Sequence, residues 1–354
     1  MKETYIYGIG VMSGTSLDGI DIAYIKIHQN IYKDFKILKA ETISYNSYWK
    51  EKLQEAINYN AADLEELDIE YGKFLGQVIH NFITKHTVSR LDFIASHGHT
   101  VLHQPELGVT LQVGNGQEIA NITKKEVVCD FRTQDVALGG QGAPLVPIGD
   151  KLLFADYDYC LNLGGFANIS YEKNNKRIAF DICPVNIVLN HYTRKLGLDF
   201  DEGGKIASKG KINDALLESL NSLNFYATEP PKSLGLEWVK EHVFPLIDRK
   251  ETDISTILRT FVEHSAMQIA KIITKKSKIL VTGGGAFNSF LMDRIAFYLK
   301  KPIPLVTREL IDYKEALVFA FLGLLKRKGE VNCLQSVTGA KENHSSGKFF
   351  YPQK

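Results

Sequence analysis

The sequence predicts an α/β protein of two domains, each with a mixed sheet flanked by helices. Three observations carry that expectation. At 354 residues the chain is too long for one ordinary hydrophobic core and suits two. β-Branched runs are interleaved with stretches whose apolar residues recur at helical spacing. A strand–turn–strand opening occurs twice, once near residue 5 and again near residue 159.

Residues 5–12 form an Ile/Val/Tyr-rich run ended by Ser13-Gly14-Thr15-Ser16, and 20–27 resumes the pattern. Two strands joined by a Gly/Ser/Thr/Asp turn are therefore expected, with a third at 35–45. Leu64, Leu67, Tyr71, Phe74, Leu75, Val78, Ile79 and Phe82 give 47–85 a helical period. The stretch 91–96 returns to strand before Ser96-His97-Gly98-His99-Thr100. Three strands ahead of the first helix depart from simple β/α alternation, so the sheet is expected to be mixed. After the Gly/Pro-rich break at 139–147, strands at 159–163, 167–171 and 177–180 open a second domain around Gly164-Gly165. The division is placed at 125/126: residues 1–125 form the first domain, with the tail 340–354 a candidate to join it. Residues 126–339 form the second. Helices are expected at 256–275, 288–300 and 312–328, with a strand at 278–281. The polar tail beyond Thr338 reads as a surface segment.

Composition removes several function classes. Forty-two Lys+Arg against 41 Asp+Glu leave a net charge of +1, which gives no electrostatic case for nucleic acid or an anionic membrane as partner. Cys129, Cys160, Cys183 and Cys333 are far apart and form no CxxC pair, so reduced thiols of a cytoplasmic protein are expected. The first residues reach Gly and Asp before a signal-peptide core could form, and no apolar run approaches the ~20 residues of a membrane span.

Three glycine turns each follow an apolar strand: Gly14-Thr15-Ser16-Leu17-Asp18-Gly19, Gly164-Gly165-Phe166-Ala167-Asn168, and Gly283-Gly284-Gly285-Ala286-Phe287-Asn288. Polyphosphate is a dense anion, and a tight turn with exposed N–H groups holds it while glycine lets the backbone come close. Any one turn alone is an ordinary corner. Three together point to a nucleotide, although none is a P-loop or a good dinucleotide fingerprint. A dehydrogenase using 283–285 for NAD leaves the other two turns unexplained.

Residues 11–21 (VMSGTSLDGID), 130–147 (DFRTQDVALGGQGAPLVP), 161–170 (LNLGGFANIS), 282–288 (TGGGAFN) and 315–323 (EALVFAFLG) closely resemble the anhydro-N-acetylmuramic acid kinase family. The matches run in order over nearly the whole chain. That family lies in the sugar kinase/Hsp70/actin superfamily, so the resemblance implies two related actin-like (ribonuclease H-like) domains with an ATP cleft between them. It also implies a reaction of ATP, water and 1,6-anhydro-N-acetylmuramic acid giving N-acetylmuramic acid 6-phosphate and ADP, in peptidoglycan recycling. A homodimer is implied as well.

Transferred residue by residue, the resemblance makes Asp181 the catalytic base. The turn residues Gly14, Thr15, Ser16, Leu17, Asp18, Gly19, Ile20 and Asp21 become phosphate contacts, with Asp18 a ligand of Mg²⁺. Gly164, Gly165, Asn168, Gly283, Gly284, Gly285 and Asn288 become nucleotide contacts. His97, Arg132, Asp135 and Glu315 become sugar-binding residues, Arg132 being suited to a lactyl carboxylate. One segment departs from the family: Ile182, Cys183 and Val185 stand where FDTGPGN has Thr, Gly and Gly. That departure keeps two alternatives open, a kinase for another anhydro sugar and an inactive ATP-binding relative. His97, His99 and His103 lack a carboxylate at supporting spacing, which argues against a metal among them.

Overall fold

A computed structural model describes residues 4–14, 17–274 and 276–353. Strands are numbered in chain order. By its internal contacts the chain divides into two compact units, Met1–Leu153 with Tyr313–Lys354, and Phe154–Asp312. These divisions at 153/154 and 312/313 differ from the 125/126 and 339/340 expected from sequence. Packing gives the reason. The helix Pro147–Leu152 lies against the helix Arg308–Arg327, with Gly149 so close to Val318 that a Cβ would sit 2.7 Å from it.

In the first unit β1 (Tyr5–Ser13), β2 (Gly19–His28), β3 (Phe35–Ser44), β4 (Phe93–Gln104), β5 (Val109–Val113) and β6 (Val127–Cys129) join the C-terminal β11 (Lys348–Phe350). The sheet order is β11-β6-β4-β1-β2-β3, with β5 on β4. β1–β4 and β4–β6 are parallel and the other pairs antiparallel, so this sheet is mixed. The period of two in Gly8-Ile9-Gly10-Val11 explains how β1 fits its central place. Ile9 and Val11 enter a core with Leu67, Tyr71, Leu75 and Ile79. Gly10 lies on the other face, where the backbone of the helix Arg308–Arg327 takes the place of a side chain.

Where periodicity predicts one helix over 47–85, two form, Ser47–Glu55 and Ala61–Lys85. Asn60 causes the break. Its backbone is extended and its side chain accepts from the N–H groups of Ala62 and Asp63, capping the second helix. The tail beyond Thr338 is likewise more than a surface segment. Phe350 pairs with Val127, and Ala340, His344 and Ser346 are buried.

The second unit is built on β7 (Tyr159–Leu163), β8 (Phe166–Lys173), β9 (Lys176–Pro184) and β10 (Ile279–Thr282), in the order β10-β7-β8-β9. β10 runs parallel to β7 and the hairpins are antiparallel. Leu161, Ile169, Phe180, Ile257, Phe261 and Leu291 belong to its core, which buries one face of the helices Ile254–Ile272 and Ser289–Leu299. Among the described residues no helix is long and apolar enough to cross a membrane.

Candidate functional site

The residues marked out by sequence fall in both units. In the first, β1 and β2 pair up to Ser13 opposite Ile20, and the glycine turn joins them. Thr15 and Ser16 lie outside the described residues. Leu17 adopts a left-handed φ of 58°, and its N–H donates to the Gly14 carbonyl at 3.3 Å. Asp18 is exposed. Ile20 is fully buried in the core, so only its backbone is available to a ligand. Asp21 accepts from the Thr42 hydroxyl at 2.6 Å, and that hydroxyl lies 3.4 Å from the Tyr313 hydroxyl.

A buried hydroxyl chain stands behind the turn. The Tyr45 and Tyr71 hydroxyls are 2.5 Å apart, Tyr71 donates to Ser13 Oγ at 2.9 Å, and Ser13 donates to the Gly98 carbonyl at 3.3 Å. Burial pushes the Tyr71 phenol far up, so it stays a donor. Tyr71→Phe is expected to cost about 1–3 kcal/mol in denaturant unfolding, because it strips a partner from two buried hydroxyls.

His97 and Arg132 form one assembly. Arg132 Nε donates to His97 Nε2 at 2.8 Å, and Nη1 donates to the Gly142 carbonyl at 2.7 Å. Since guanidinium cannot accept, His97 Nε2 carries the lone pair, and its Nδ1–H donates to the Gly98 carbonyl at 2.9 Å. Burial first, and the Arg132 charge second, hold His97 well below its ordinary pKa, so it is neutral. At only 4% exposure it sits behind Arg132 rather than at a surface. Asp135 is fully buried and spends both oxygens on the chain. Oδ2 accepts from Gly142 N at 2.7 Å and Oδ1 from the Thr338 hydroxyl at 2.7 Å. Glu315 keeps an exposed side chain, yet the protein crowded around it raises its carboxyl pKa, opposed by Lys314 and Arg132.

The second unit brings two of its glycine turns together. Thr282 pairs with Asn162, so the ends of β10 and β7 lie side by side. Gly283 has φ 81°, and a Cβ there would come within 2.5 Å of Asn162 Oδ1 and 2.9 Å of the Leu163 carbonyl. Only glycine meets both demands. Asn186 Nδ2 donates to the same Leu163 carbonyl at 3.2 Å. Asn288 caps the helix Ser289–Leu299 by accepting from Leu291 N at 3.0 Å, so its side chain serves the helix first.

Asp181 belongs to β9 and pairs with Asn168, which in turn pairs with Asn162 on β7. Directly paired residues share a sheet face, so the carboxylate and two amides form one polar row. Asp181 is half-buried and accepts from Leu234 N at 2.8 Å. Burial raises its pKa above the usual carboxylate value, and the Leu234 N–H partly opposes the shift. Such a carboxylate is a stronger proton acceptor than one in water.

The departures at 182–185 sit at positions that require no left-handed backbone. None of Ile182, Cys183 and Val185 has a positive φ, Val185 lying at φ −135°. All three are buried in the core beneath the turn. The following amides still wrap it, Val185 N donating to Gly165 O at 2.8 Å and Asn186 N to Gly164 O at 3.3 Å. Cys183 is a deeply buried thiol with its pKa pushed up by burial, hence unreactive.

Sequence reasoning passed over several neighbours of these groups. Thr42 and Tyr313 approach Asp21 from distant positions in the chain, which no local pattern signals. Asn186 and the Gly203-Gly204 turn lie beside the 283–288 segment, Ser289 Oγ donating to Gly203 O at 3.0 Å. The one available signal there was the run Asp201-Glu202-Gly203-Gly204.

The profile of the family described as "Anhydro-N-acetylmuramic acid kinase" matches residues 6–352. Among curated relatives of that same description, one from Shewanella loihica is 34% identical over 367 residues, covering 97% of this chain and 98% of the relative. Another, from Xylella fastidiosa, is 34% identical over 358 residues, covering 94% and 93%. Among solved structures, the chain is similar to the activator of 2-hydroxyisocaproyl-CoA dehydratase from Clostridium difficile with bound ADPNP. The TM-score is 0.45 at 12% identity, with 91% of this chain and 97% of that one covered.

Proposed function

Because the chain belongs to the anhydro-N-acetylmuramic acid kinase family, we propose that it phosphorylates 1,6-anhydro-N-acetylmuramic acid from ATP with Asp181 as base. It is an enzyme, an ATP-using sugar kinase of actin-like fold that acts in peptidoglycan recycling. The two compact units are taken as its two related domains. The observation that carries the chemistry is the half-buried Asp181, basic for a carboxylate and aligned by the Leu234 N–H beside a glycine turn.

In the proposed reaction Asp181 takes a proton from water as the water oxygen bonds to C1 of the sugar. The C1–O6 bond breaks, and O6 bonds to the γ-phosphorus as ADP leaves. Water thus supplies the new anomeric hydroxyl, and the proton passes through Asp181 to solvent. Phosphoryl transfer otherwise asks for positioning and charge neutralisation. We assign phosphate contacts to the backbone of 14–21, further nucleotide contacts to 164–165 and Asn168, and the adenosine end to 283–285 and Asn288, where glycine permits close approach. Arg132 is assigned to the lactyl carboxylate, since His97 and Gly142 fix its plane from behind. Glu315 is assigned to a sugar hydroxyl, whereas His97 and Asp135 are given positioning roles.

Mg²⁺ fits the exposed carboxylate of Asp18, because this ion takes few protein carboxylates and keeps water and phosphate oxygens. Bound there it would neutralise phosphate charge. A near-zero net charge supports the absence of nucleic-acid partners, and the family resemblance supports a cytoplasmic homodimer.

The deciding experiment follows ADP release with Mg²⁺-ATP, with and without the anhydro sugar. Sugar-dependent release, with a product mass equal to the hydrated 6-phosphate, is expected. ATP binding without sugar-dependent turnover would sink the assignment. In the same assay Arg132→Lys is expected to raise KM for the sugar about 10- to 100-fold, the equivalent of ~1.5–3 kcal/mol, with KM for ATP little changed.

A further inference from the structure

Among the described residues, Asp135, Cys333 and His344 bring a carboxylate oxygen, Sγ and an imidazole nitrogen within 4.8 Å of one another, all three buried. Rigid backbone presents them. Cys333 and His344 face each other in an isolated antiparallel bridge, Cys333 N donating to His344 O at 3.0 Å and His344 N to Cys333 O at 3.2 Å. Their side chains therefore leave the same side of the ribbon. Asp135 comes from the helix Thr133–Ala137.

The imidazole is oriented in an unusual way. His344 Nδ1 lies 3.1 Å from the Glu342 carbonyl, which can only accept, so Nδ1 holds a proton and, in the neutral imidazole, Nε2 carries the lone pair. Nε2 is buried and makes no hydrogen bond, although Asp135 Oδ1 stands 3.4 Å away. With the imidazole neutral, two acceptors face each other across that gap. A positive centre between them would turn the repulsion into attraction, and the neighbouring thiol supplies a third donor atom.

We propose that Asp135, Cys333 and His344 form a zinc-binding site. Thiolate with imidazole and one carboxylate is a donor set for Zn²⁺, whereas Mg²⁺ and Ca²⁺ ask for oxygen ligands. One thiolate, one carboxylate and a neutral imidazole bring the bound ion to zero net charge, which suits a buried location. Tetrahedral ligation at Zn–N, Zn–O and Zn–S lengths sets ligand atoms about 3.3–3.8 Å apart. The existing spacing, no more than 4.8 Å, is thus within about 1.5 Å of what the ion needs. On binding, the Cys333 S–H bond breaks, sulfur bonds to zinc and one proton leaves to solvent. His344 and Asp135 contribute existing lone pairs, and water can take the fourth position.

The site would clamp the 333–346 segment to Asp135. The other Asp135 oxygen holds Gly142 N, and Gly142 O receives Arg132, so the ion would stiffen the support of Arg132 without touching it.

Metal-free protein titrated with Co²⁺ is expected to bind one ion per chain and to develop a thiolate-to-cobalt charge-transfer band that Zn²⁺ abolishes by displacement. Cys333→Ser should lose the band and bind about tenfold or more weakly, since even outer-shell changes cost 10–100-fold. His344→Gln is the second variant, because its amide N–H can satisfy Asp135 and keep the core folded without an ion. It too should lose the band, while Cys160→Ala should keep it. No stoichiometric binding would overturn the proposal and leave a shared proton as the link between His344 and Asp135. A band that survives in Cys333→Ser or His344→Gln would overturn it equally.

Discussion

Asp181→Asn is expected to lower kcat for sugar-dependent ADP release by about 10²–10⁴, the usual contribution of a positioned general base. The change is small in shape, and the Asn carbonyl can still accept from Leu234 N, so the segment keeps its place. Two pH effects separate this role from a structural one. Wild-type turnover should fall as pH drops through the folded pKa of Asp181, which burial has raised above that of an ordinary aspartate. The acid limb therefore lies at higher pH than for an ordinary carboxylate, and the variant's residual rate should lack it. Stability runs the other way. The folded protein holds the Asp181 proton more tightly than the unfolded chain, so this group's contribution is present at low pH and lost as pH rises through the folded pKa. At neutral pH the ionised, half-buried carboxylate is a cost, and Asp181→Asn should raise the denaturation midpoint. That gain should shrink as pH falls through the raised folded pKa and be gone below the usual carboxylate range. A variant within about tenfold of wild-type turnover would remove Asp181 from the base role.

Gly10→Ala is expected to give the largest loss of stability, about 3 kcal/mol or more by denaturant unfolding. A Cβ on Gly10 would overlap the Ala316 carbonyl oxygen and lie 2.8 Å from its carbon and 2.9 Å from Ala320 N. These are backbone atoms of a helix, so no rotamer change can make room. Either β1 leaves the centre of its sheet or the helix backs away. Ala316 follows Glu315 directly, so the surviving folded fraction should also show a raised KM for the sugar. A loss below about 1 kcal/mol would mean that the helix has slack here.

Legibility from sequence followed the range of the interactions. The strands 5–13, 19–28 and 159–163 were visible because their apolar alternation is written locally, and the three turns because glycine is rare at the end of a buried run. The broken helix at 59–60 is legible in principle, since Asn60 before an acidic turn is a capping signal, yet the apolar period runs on across it. The histidine segment reads from sequence as the end of a strand and a loop. It is strand through Gln104 because β5 returns to pair with it from His99 onward, a partner that local sequence does not show. Asp135 looked like a ligand residue, and its partners Thr338 and Gly142 could not be foreseen, one of them being 203 positions away. Residue types announced that a charged site existed. Which carboxylate faces out and which is consumed by the chain was settled by packing.

The first unit is assembled from both ends of the chain, since 313–354 returns to complete what 4–153 began. On the ribosome the second unit is finished first. Its sheet and core need nothing made after Asp312, so it can fold as soon as it emerges. The earlier segment must wait, with β6 still an open edge and Gly10 facing no helix, until the last elements are released. Newly made chains therefore pass through a stage in which one half is native and the other exposes a sheet edge and an unfilled glycine groove. That stage, rather than the finished enzyme, is where chaperone dependence and aggregation losses should concentrate.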